Sequence, residues 1–433
     1  MLQLLKEIIL DAREGVLFTG TQRNLRITPV EKKATIIIGV RRCGKTILLN
    51  QVVSRLISEG VSKDNFLYIN FFDDRLAQLK TVGLDKVLEA YFMIYPGKKL
   101  NDKIYCFFDE IQVVQGWESF IDRILRTENC EVYVTGSSAK MLSKEIGTQM
   151  RGRALSWELF PFSFREYLNS SGIKNTLPAS SRDRIITQKT FADFYEQGGF
   201  PEVIGIDKPL RIKIHQEYFN SILFRDLIER YDISHPRALV DLSVKLLENV
   251  ASLYTLNGLT NFLKSLGHKV PKNSVADYLS WFEDAYFLFT VRIFSASFSK
   301  SNVNPKKIYC IDHAFVRSVT SGILVNSGHQ LENIVFVALR RLNNSLYYYK
   351  TSTNQEIDFL MQDQHRNITL IQVCQTLVNP ATRQREISVL QIAMKELGLP
   401  EATIVTRDET DKITVNEGII EVVPVWRFLL EVD

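Results

Sequence analysis

TIIIGVRRCGKTILLNQVVSRLI, residues 35–57, passes from an apolar β-branched segment, through a loop carrying three cations, into an amphipathic segment. The run from Thr35 to Ile38 suits a strand buried on both faces. Leu48, Leu49, Val52, Val53, Leu56 and Ile57 recur at helical spacing, and Gly60 marks a stop. Between strand and helix, Gly39, Val40, Arg41, Arg42, Cys43, Gly44, Lys45 and Thr46 fill G-x-x-x-x-G-K-[ST] at every position. Glycines let the backbone curl until successive N–H groups face one anion, and the helix that follows aims its positive end at the same point. A phosphate chain is the ligand this arrangement suits. Gly39 to Ile47 would cradle it, Lys45 would bridge the outer phosphates, and the Thr46 hydroxyl would hold magnesium. Arg41 and Arg42 either add to phosphate affinity or face solvent, and both readings stay open.

The rest of the chain bounds what such a site can belong to. With 433 residues, several domains are expected rather than one core. Hydrophobic residues make up 45% and charged residues 24%, the balance of a globular protein. No run of 18 apolar residues suggests a membrane span. The opening MLQLLKEIILDAREG interrupts its apolar residues with Lys6, Glu7 and Asp11, so it reads as an amphipathic helix and not a leader. Five scattered cysteines with no CxxC pair fit a reducing cytoplasm and offer no zinc site. Residues 236–310 hold 9 Lys/Arg against 5 Asp/Glu, whereas residues 311–433 hold 11 against 15. An acidic end is a poor nonspecific partner for nucleic acid, and the basic segment before it is a tolerable one.

A nucleotide site also needs a carboxylate for the metal and a base for water. In KIYCFFDEIQVVQGWESF, residues 103–120, a strand over 104–108 ends in Asp109 and Glu110. Asp109 is the candidate for magnesium, mostly through water, and Glu110 for deprotonating the attacking water. A further strand, EVYVTGSS, ends in Thr135, Gly136, Ser137 and Ser138, with Ser137 or Ser138 the candidate for contact with the terminal phosphate. GTQMRGRALSWELFPFSFREYL then brings Arg151 and Arg153, either of which would neutralise transition-state charge within the chain or on a neighbour. Action on a neighbour requires self-association, which is therefore a further expectation.

These segments together resemble the prokaryotic AAA-type ATP-binding proteins that carry a C-terminal domain of unknown function of the DUF4143 type. GVRRCGKT, INFFDDRL, FFDEIQ followed by GWE, TGSSAKML, RGRALSWELFPFSFREYL, GGFPEV and FRDLIERYDI carry the resemblance over residues 35 to 232, and it continues more loosely to the end. The resemblance implies an α/β fold: a P-loop NTPase core of the additional-strand type with a parallel sheet, a helical and winged-helix region, and a restriction-nuclease-like α/β domain. The corresponding boundaries are 1–165, 166–238, 239–310 and 311–433. ATP and Mg2+ are the implied cofactors. Asp73, Asp74 and the GGFPEV turn meet the family pattern without a chemical role of their own.

Residues 239–294 read as three helices and an aromatic strand, an order that suits a winged helix-turn-helix. Its third helix opens at a cap-like Asn273-Ser274 beside Lys269 and Lys272, with Lys300, Lys306 and Lys307 in the loop beyond. Five lysines there would meet double-stranded DNA through its phosphates. Against this, the helix ends in Glu283 and Asp284, and many such modules only pack domains together. In the last segment a nuclease would need an acid on one strand and Glu-x-Lys on the next. Glu332 lies on a helix and Asp358 in QEIDFLM, but in LIQVCQ the second acid is replaced by Gln372 and the lysine by Cys374. The domain is therefore expected to be a docking or regulatory surface without nuclease activity. The functional expectation is magnesium-dependent ATP binding and hydrolysis driving a switch or motor. The alternative is a nucleotide-dependent DNA-binding adaptor with little hydrolysis.

Overall fold

The computed structural model describes residues 1–433 apart from 78, 80–82, 100, 101, 137–149, 151, 175, 296, 298–300, 302, 303, 321–325, 343, 344 and 433. It falls into two compact units, Met1–Phe160 and Pro161–Asp433. The first unit comprises α1 (Leu2–Glu14), β1 (Ala34–Ile38), α2 (Lys45–Ser58), β2 (Phe66–Asn70), α3 (Asp85–Ile94), β3 (Ile104–Asp109), α4 (Trp117–Thr127), β4 (Cys130–Gly136) and β5 (Ala154–Glu158). All five strands are parallel, in the order β2-β3-β4-β1-β5. Strand β4 therefore lies between β1 and β3, the additional strand that the sequence leads one to expect.

Every residue of β1 is buried, as its unbroken β-branched run requires for a strand covered on both faces. Helix α2 buries Leu48, Leu49, Val52, Val53 and Leu56 on one stripe. At about 1.5–3 kcal/mol for each large side chain buried, that stripe fixes how the helix rolls onto the sheet. Gly60 closes it as expected, with φ +92° and its N–H bonded to the Ile57 carbonyl. Helix α1 buries Leu5, Ile8 and Ile9, in keeping with the amphipathic helix expected there.

The second unit begins with helices α5 (Phe164–Ser170), α6 (Ser181–Gln197) and α7 (Lys208–Ser221), the last running on as a π-helical turn over Ile222–Ile228. Next come α8 (Pro236–Glu248), β6 (Leu253–Tyr254), α9 (Leu256–Ser265), α10 (Lys272–Asp284), β7 (Leu288–Ile293) and β8 (Lys306–Cys310). The third of these helices starts at Lys272 with Pro271 as its cap, so Asn273 and Ser274 lie inside its first turn. The chain ends with α11 (Ala314–Val319), α12 (Ser327–Leu342), β9 (Leu346–Lys350), β10 (Glu356–Gln362), β11 (Ile368–Val373), α13 (Pro380–Leu397), β12 (Glu401–Thr406), β13 (Asp411–Val415), β14 (Gly418–Pro424) and α14 (Val425–Val432).

Nine of these strands make one sheet, β13-β14-β12-β11-β10-β9-β7-β8-β6. The parallel pairing of β7 with β9 carries it through what the sequence divides at residue 310. Its C-terminal core packs Ile357, Leu360, Leu370, Ile404, Ile420 and Val422 of the strands against Val389, Leu390, Ala393 and Met394 of α13. The GGFPEV turn is pinned from inside the same unit. The Asp312 carboxylate accepts from Gly199 N at 2.6 Å and from Ala314 N at 2.8 Å. Asp73 likewise closes a 3-10 turn over Asp74–Leu76 and pairs with Arg75. Both motifs hold turns.

Candidate functional site

The phosphate loop leaves the C-terminal end of β1 and enters α2. Three of its residues take left-handed or strained backbone: Gly39 at φ +156°, Arg42 at +66° and Gly44 at +101°. A Cβ on Gly39 would lie 2.1 Å from the Leu159 carbonyl oxygen, so only glycine fits there. Lys45 is buried, and its ammonium donates to the carbonyls of Gly39 and Val40 at 3.1 Å each, which folds the side chain over the loop. Cys43 is fully buried and desolvation raises its thiol pKa, so this loop sulfur is a packed hydrophobe rather than an exposed nucleophile.

Parallel register brings the second half of the site to the same sheet edge. The Thr46 hydroxyl donates to Asp109 Oδ2 at 2.8 Å, joining residues 63 apart in sequence. The Thr135 hydroxyl, at the tip of β4, donates to the other oxygen, Oδ1, and accepts from Glu110 N at 3.0 Å. Burial pushes the Asp109 carboxyl up, while the bonds from Thr135 and Thr46 and the Lys45 charge pull it down. Glu110 sits in the left-handed region at φ +56°, a conformation that costs a non-glycine residue on the order of 1 kcal/mol. Its Oε2 accepts from Gln112 Nε2.

The donor set fits the groups the loop implies. Thr46 and Asp109 offer a hydroxyl and a carboxylate oxygen at one point, the hard oxygen donors that magnesium takes alongside phosphate and water. Among the described residues no cluster of three His, Cys, Asp or Glu is suited to hold a metal by itself.

Two expectations are corrected. Arg153 is not at the phosphate end of its own sheet, which leaves action on a neighbour as the remaining form of that expectation. Its carbonyl accepts from Ala34 N at the start of β1, roughly 16 Å along the strand from the loop. Its guanidinium is bound to Asp122 on α4 at 2.5 Å. The parallel register that brings Thr135 to the site carries Arg153 to the opposite edge. Ser137, Ser138 and Arg151 lie outside the described residues. Thr135 is a site residue the sequence reading passed over; β4 is buried without a break from Val132 to Gly136, and its register against β3 sets Thr135 beside Asp109.

The second correction concerns lysines read as phosphate contacts. Lys306 and Lys307 belong to β8, not to a loop, and Lys307 is 2% exposed. Its ammonium lies 2.8 Å from each of Glu332 Oε1, Glu356 Oε1 and Asp358 Oδ1. Burial works against this charge, but Asp358 and Glu332 outweigh it and hold the ammonium well above its usual range. Burial, helped by the Asp358 charge, pushes the Glu332 carboxyl up to about 8. Asp358 is braced by Gln372 and Val373: Asp358 N donates to Gln372 Oε1 at 3.1 Å, and Val373 N donates to Asp358 Oδ2 at 2.9 Å. A cation thus reaches Glu332 and Asp358 from β8. Its three donors are all taken by carboxylates. Lys269 and Lys272 are exposed, and Lys300 is outside the described residues.

Comparison with known proteins agrees with the geometry at the coarse level. A family model described as "AAA domain" matches residues 31–168, and domains of unknown function match residues 188–323 (DUF8612) and 327–428 (DUF4143). The chain is 34% identical over 439 residues to the uncharacterized protein MJ1544 of Methanocaldococcus jannaschii, covering 99% of this chain and 95% of that one. It belongs to the MJ1544 family. An uncharacterized protein of Haemophilus influenzae is 30% identical over 328 residues, 75% of this chain and 78% of its own length. Among solved structures it is similar to the Walker-type ATPase of Pyrococcus abyssi, with a TM-score of 0.40 and 14% identity over 66% of this chain and 90% of that chain. The AAA and DUF4143 parts of the expected resemblance are therefore borne out, and residues 31–168 form a P-loop ATPase-like domain. Among the described residues, no helix is long and apolar enough to cross a membrane.

Proposed function

We propose that this member of the MJ1544 family binds ATP with magnesium and hydrolyses it. The observation that carries the reading is the convergence of Thr46, Asp109, Thr135 and Glu110 at the edge where the phosphate loop opens. Lys45 and the loop N–H groups would hold the phosphates, and Thr46 and Asp109 would hold the ion. Magnesium, when bound, supplies positive charge that offsets the charge developing on the transferred phosphoryl oxygens. Glu110 would take the proton of the attacking water on its carboxylate, steadied by Gln112. Thr135 would keep Asp109 and the Glu110 backbone in register, so metal ligand and base keep a fixed separation. Hydrolysis would drive a switch or motor acting through the second unit.

Steady-state phosphate release tests this. Lys45→Ala should abolish release, and Glu110→Gln should bind ATP with near-normal affinity while turning over at least about a hundredfold slower. Release that survives Lys45→Ala unchanged refutes the reading.

A second reading has its own support. The order α8, β6, α9, α10, β7, β8, with β8 paired to both other strands, suits a winged helix, and Lys269 and Lys272 stand exposed at the start of α10. An adaptor that binds duplex DNA when nucleotide is bound would use them. A salt-sensitive duplex affinity whose slope falls by about two on replacing both lysines with alanine favours it, and no such affinity discards it. For the C-terminal DUF4143 domain we propose a docking or regulatory role. The order α12, β9, β10, β11, α13, β12 supports a nuclease-like ancestry, while Lys307, buried and saturated by carboxylates, leaves no donor to polarise a water. A cytoplasmic setting fits the five free cysteines.

A further inference from the structure

Behind the phosphate loop lies an arginine that the nucleotide reading does not use. Arg23 comes from the aperiodic segment between α1 and β1 and is 4% exposed. Its Nη1 donates to the Cys43 carbonyl and its Nη2 to the Phe160 carbonyl, both at 2.6 Å. Its backbone N–H donates to Gln51 Oε1 at 3.1 Å, and Gln51 Nε2 donates to the Thr19 and Thr21 carbonyls at 2.6 and 2.8 Å. The segment is thus stitched along α2, and the guanidinium is held in a fork between the loop and the chain just past β5. That end of the chain is itself fixed, since Leu159 N donates to the Ile38 carbonyl at 2.7 Å.

One peptide unit gives this fork a consequence. The Cys43 carbonyl and the Gly44 N–H belong to the same planar trans peptide, so they point in opposite directions. Whatever fixes the carbonyl behind the loop fixes the N–H in front of it. A charged donor on the carbonyl also polarises the amide, making its N–H a stronger donor. Gly44 is the loop residue that precedes Lys45, where backbone N–H groups cradle phosphate. We propose that Arg23 is a positioning residue of the nucleotide site: it orients and strengthens the Gly44 N–H from behind without touching the ligand. The proposal rests on the ATP-binding reading above. It deepens that reading by naming what sets the direction of one cradle donor.

ADP binding to the full chain, by calorimetry with magnesium present, separates this role from a merely structural one. Arg23→Met should weaken ADP about ten- to a hundredfold, the worth of one charge-assisted hydrogen bond written as a binding constant. The KM for ATP should rise by the same factor, while turnover at saturation stays within about threefold, since Arg23 meets no reacting atom. In glycine-labelled protein, the Gly44 amide resonance should move on ADP addition in the wild type and move much less in the variant. Arg23→Lys keeps the buried charge but not the two-pronged reach, so it should show an intermediate loss, and it decides the matter if Arg23→Met does not fold. Folded variants that bind ADP within twofold of wild type, or that lose turnover at saturation with KM unchanged, overturn the proposal. Wild-type protein that takes no ADP or ATP refutes the underlying ATPase reading instead.

Discussion

Replacing Lys307 by methionine removes one cation from among three carboxylates, and its cost can be worked from the geometry. The side chains of Lys307, Glu332 and Asp358 are 2%, 8% and 10% exposed, and each N–O distance is 2.8 Å. Breaking a buried pair by deleting one partner costs about 3–5 kcal/mol, because the remaining charge is stranded out of water. Spread over a unit of this size, that loss should lower the melting temperature of the second unit by roughly 6–20 °C.

The loss should also depend on pH in a direction that a simple packing defect would not share. In the wild type the Glu332 carboxyl is already raised to about 8, so its contribution to stability is complete below its unfolded value and fades as pH rises through about 8. Without Lys307 the carboxyl must rise further, so the variant should be closest to wild type near pH 5–6 and worst above pH 8. Calorimetric melting of Lys307→Met at pH 6 and pH 8.5, alongside Lys307→Met/Glu332→Gln, measures this. The double variant should recover part of the loss at pH 8.5. An equal drop at both pH values with no recovery would refute the account of Lys307 as the counter-ion of this core.

Three further outcomes follow from the same geometry. Thr135→Val removes the hydroxyl shared by Asp109 and the Glu110 backbone, so turnover should fall about 10–100-fold with ATP affinity within threefold; unchanged kcat in a steady-state assay contradicts this. Arg153→Ala should leave kcat per subunit within twofold while lowering unfolding free energy by about 1–2 kcal/mol, since Asp122 keeps Arg126 as a second partner; a collapse of turnover in a stably folded variant would restore the arginine to the reaction. In a thiol titration of native protein, half-buried Cys130 should react first and Cys43 only on unfolding, because the Cys43 thiol is fully buried and shifted upward; fast labelling of Cys43 would show a loop more open than this.

These cases divide by how far apart in the chain the deciding residues lie. The phosphate loop is legible because eight consecutive residues carry it and the flanking strand and helix announce themselves by period. Asp109 and Glu110 are legible because a run of apolar residues ends on them. Which residue of β4 meets Asp109 is another matter. The pairing of Phe108 with Val134 places Thr135 there, and a shift of register would have put a different residue at the same point. Composition does not encode that register. Arg153 misleads for the same reason: proximity in sequence to a strand says nothing of which end of the sheet it starts from.

Lys307 and Arg23 lie at the far end of this scale. Arg23 lies in a stretch without apolar period and Lys307 follows Lys306 at the head of a strand, and a cation in either setting is ordinarily solvated. Their burial is decided by partners 25 and 51 residues away for Lys307, and by partners 20 and 137 residues away for Arg23. Desolvating a charge is tolerated only where several acceptors converge, so both positions mark places where the fold has been built around the cation. In the second unit three carboxylates surround one ammonium and no donor is left over, which makes the cluster a keystone. In the first unit the guanidinium donates to the Cys43 and Phe160 carbonyls, and through the Cys43–Gly44 peptide it bears on the loop. That contact with the loop backbone is why Arg23 bears on the nucleotide site, whereas Lys307, held by carboxylates, bears on stability.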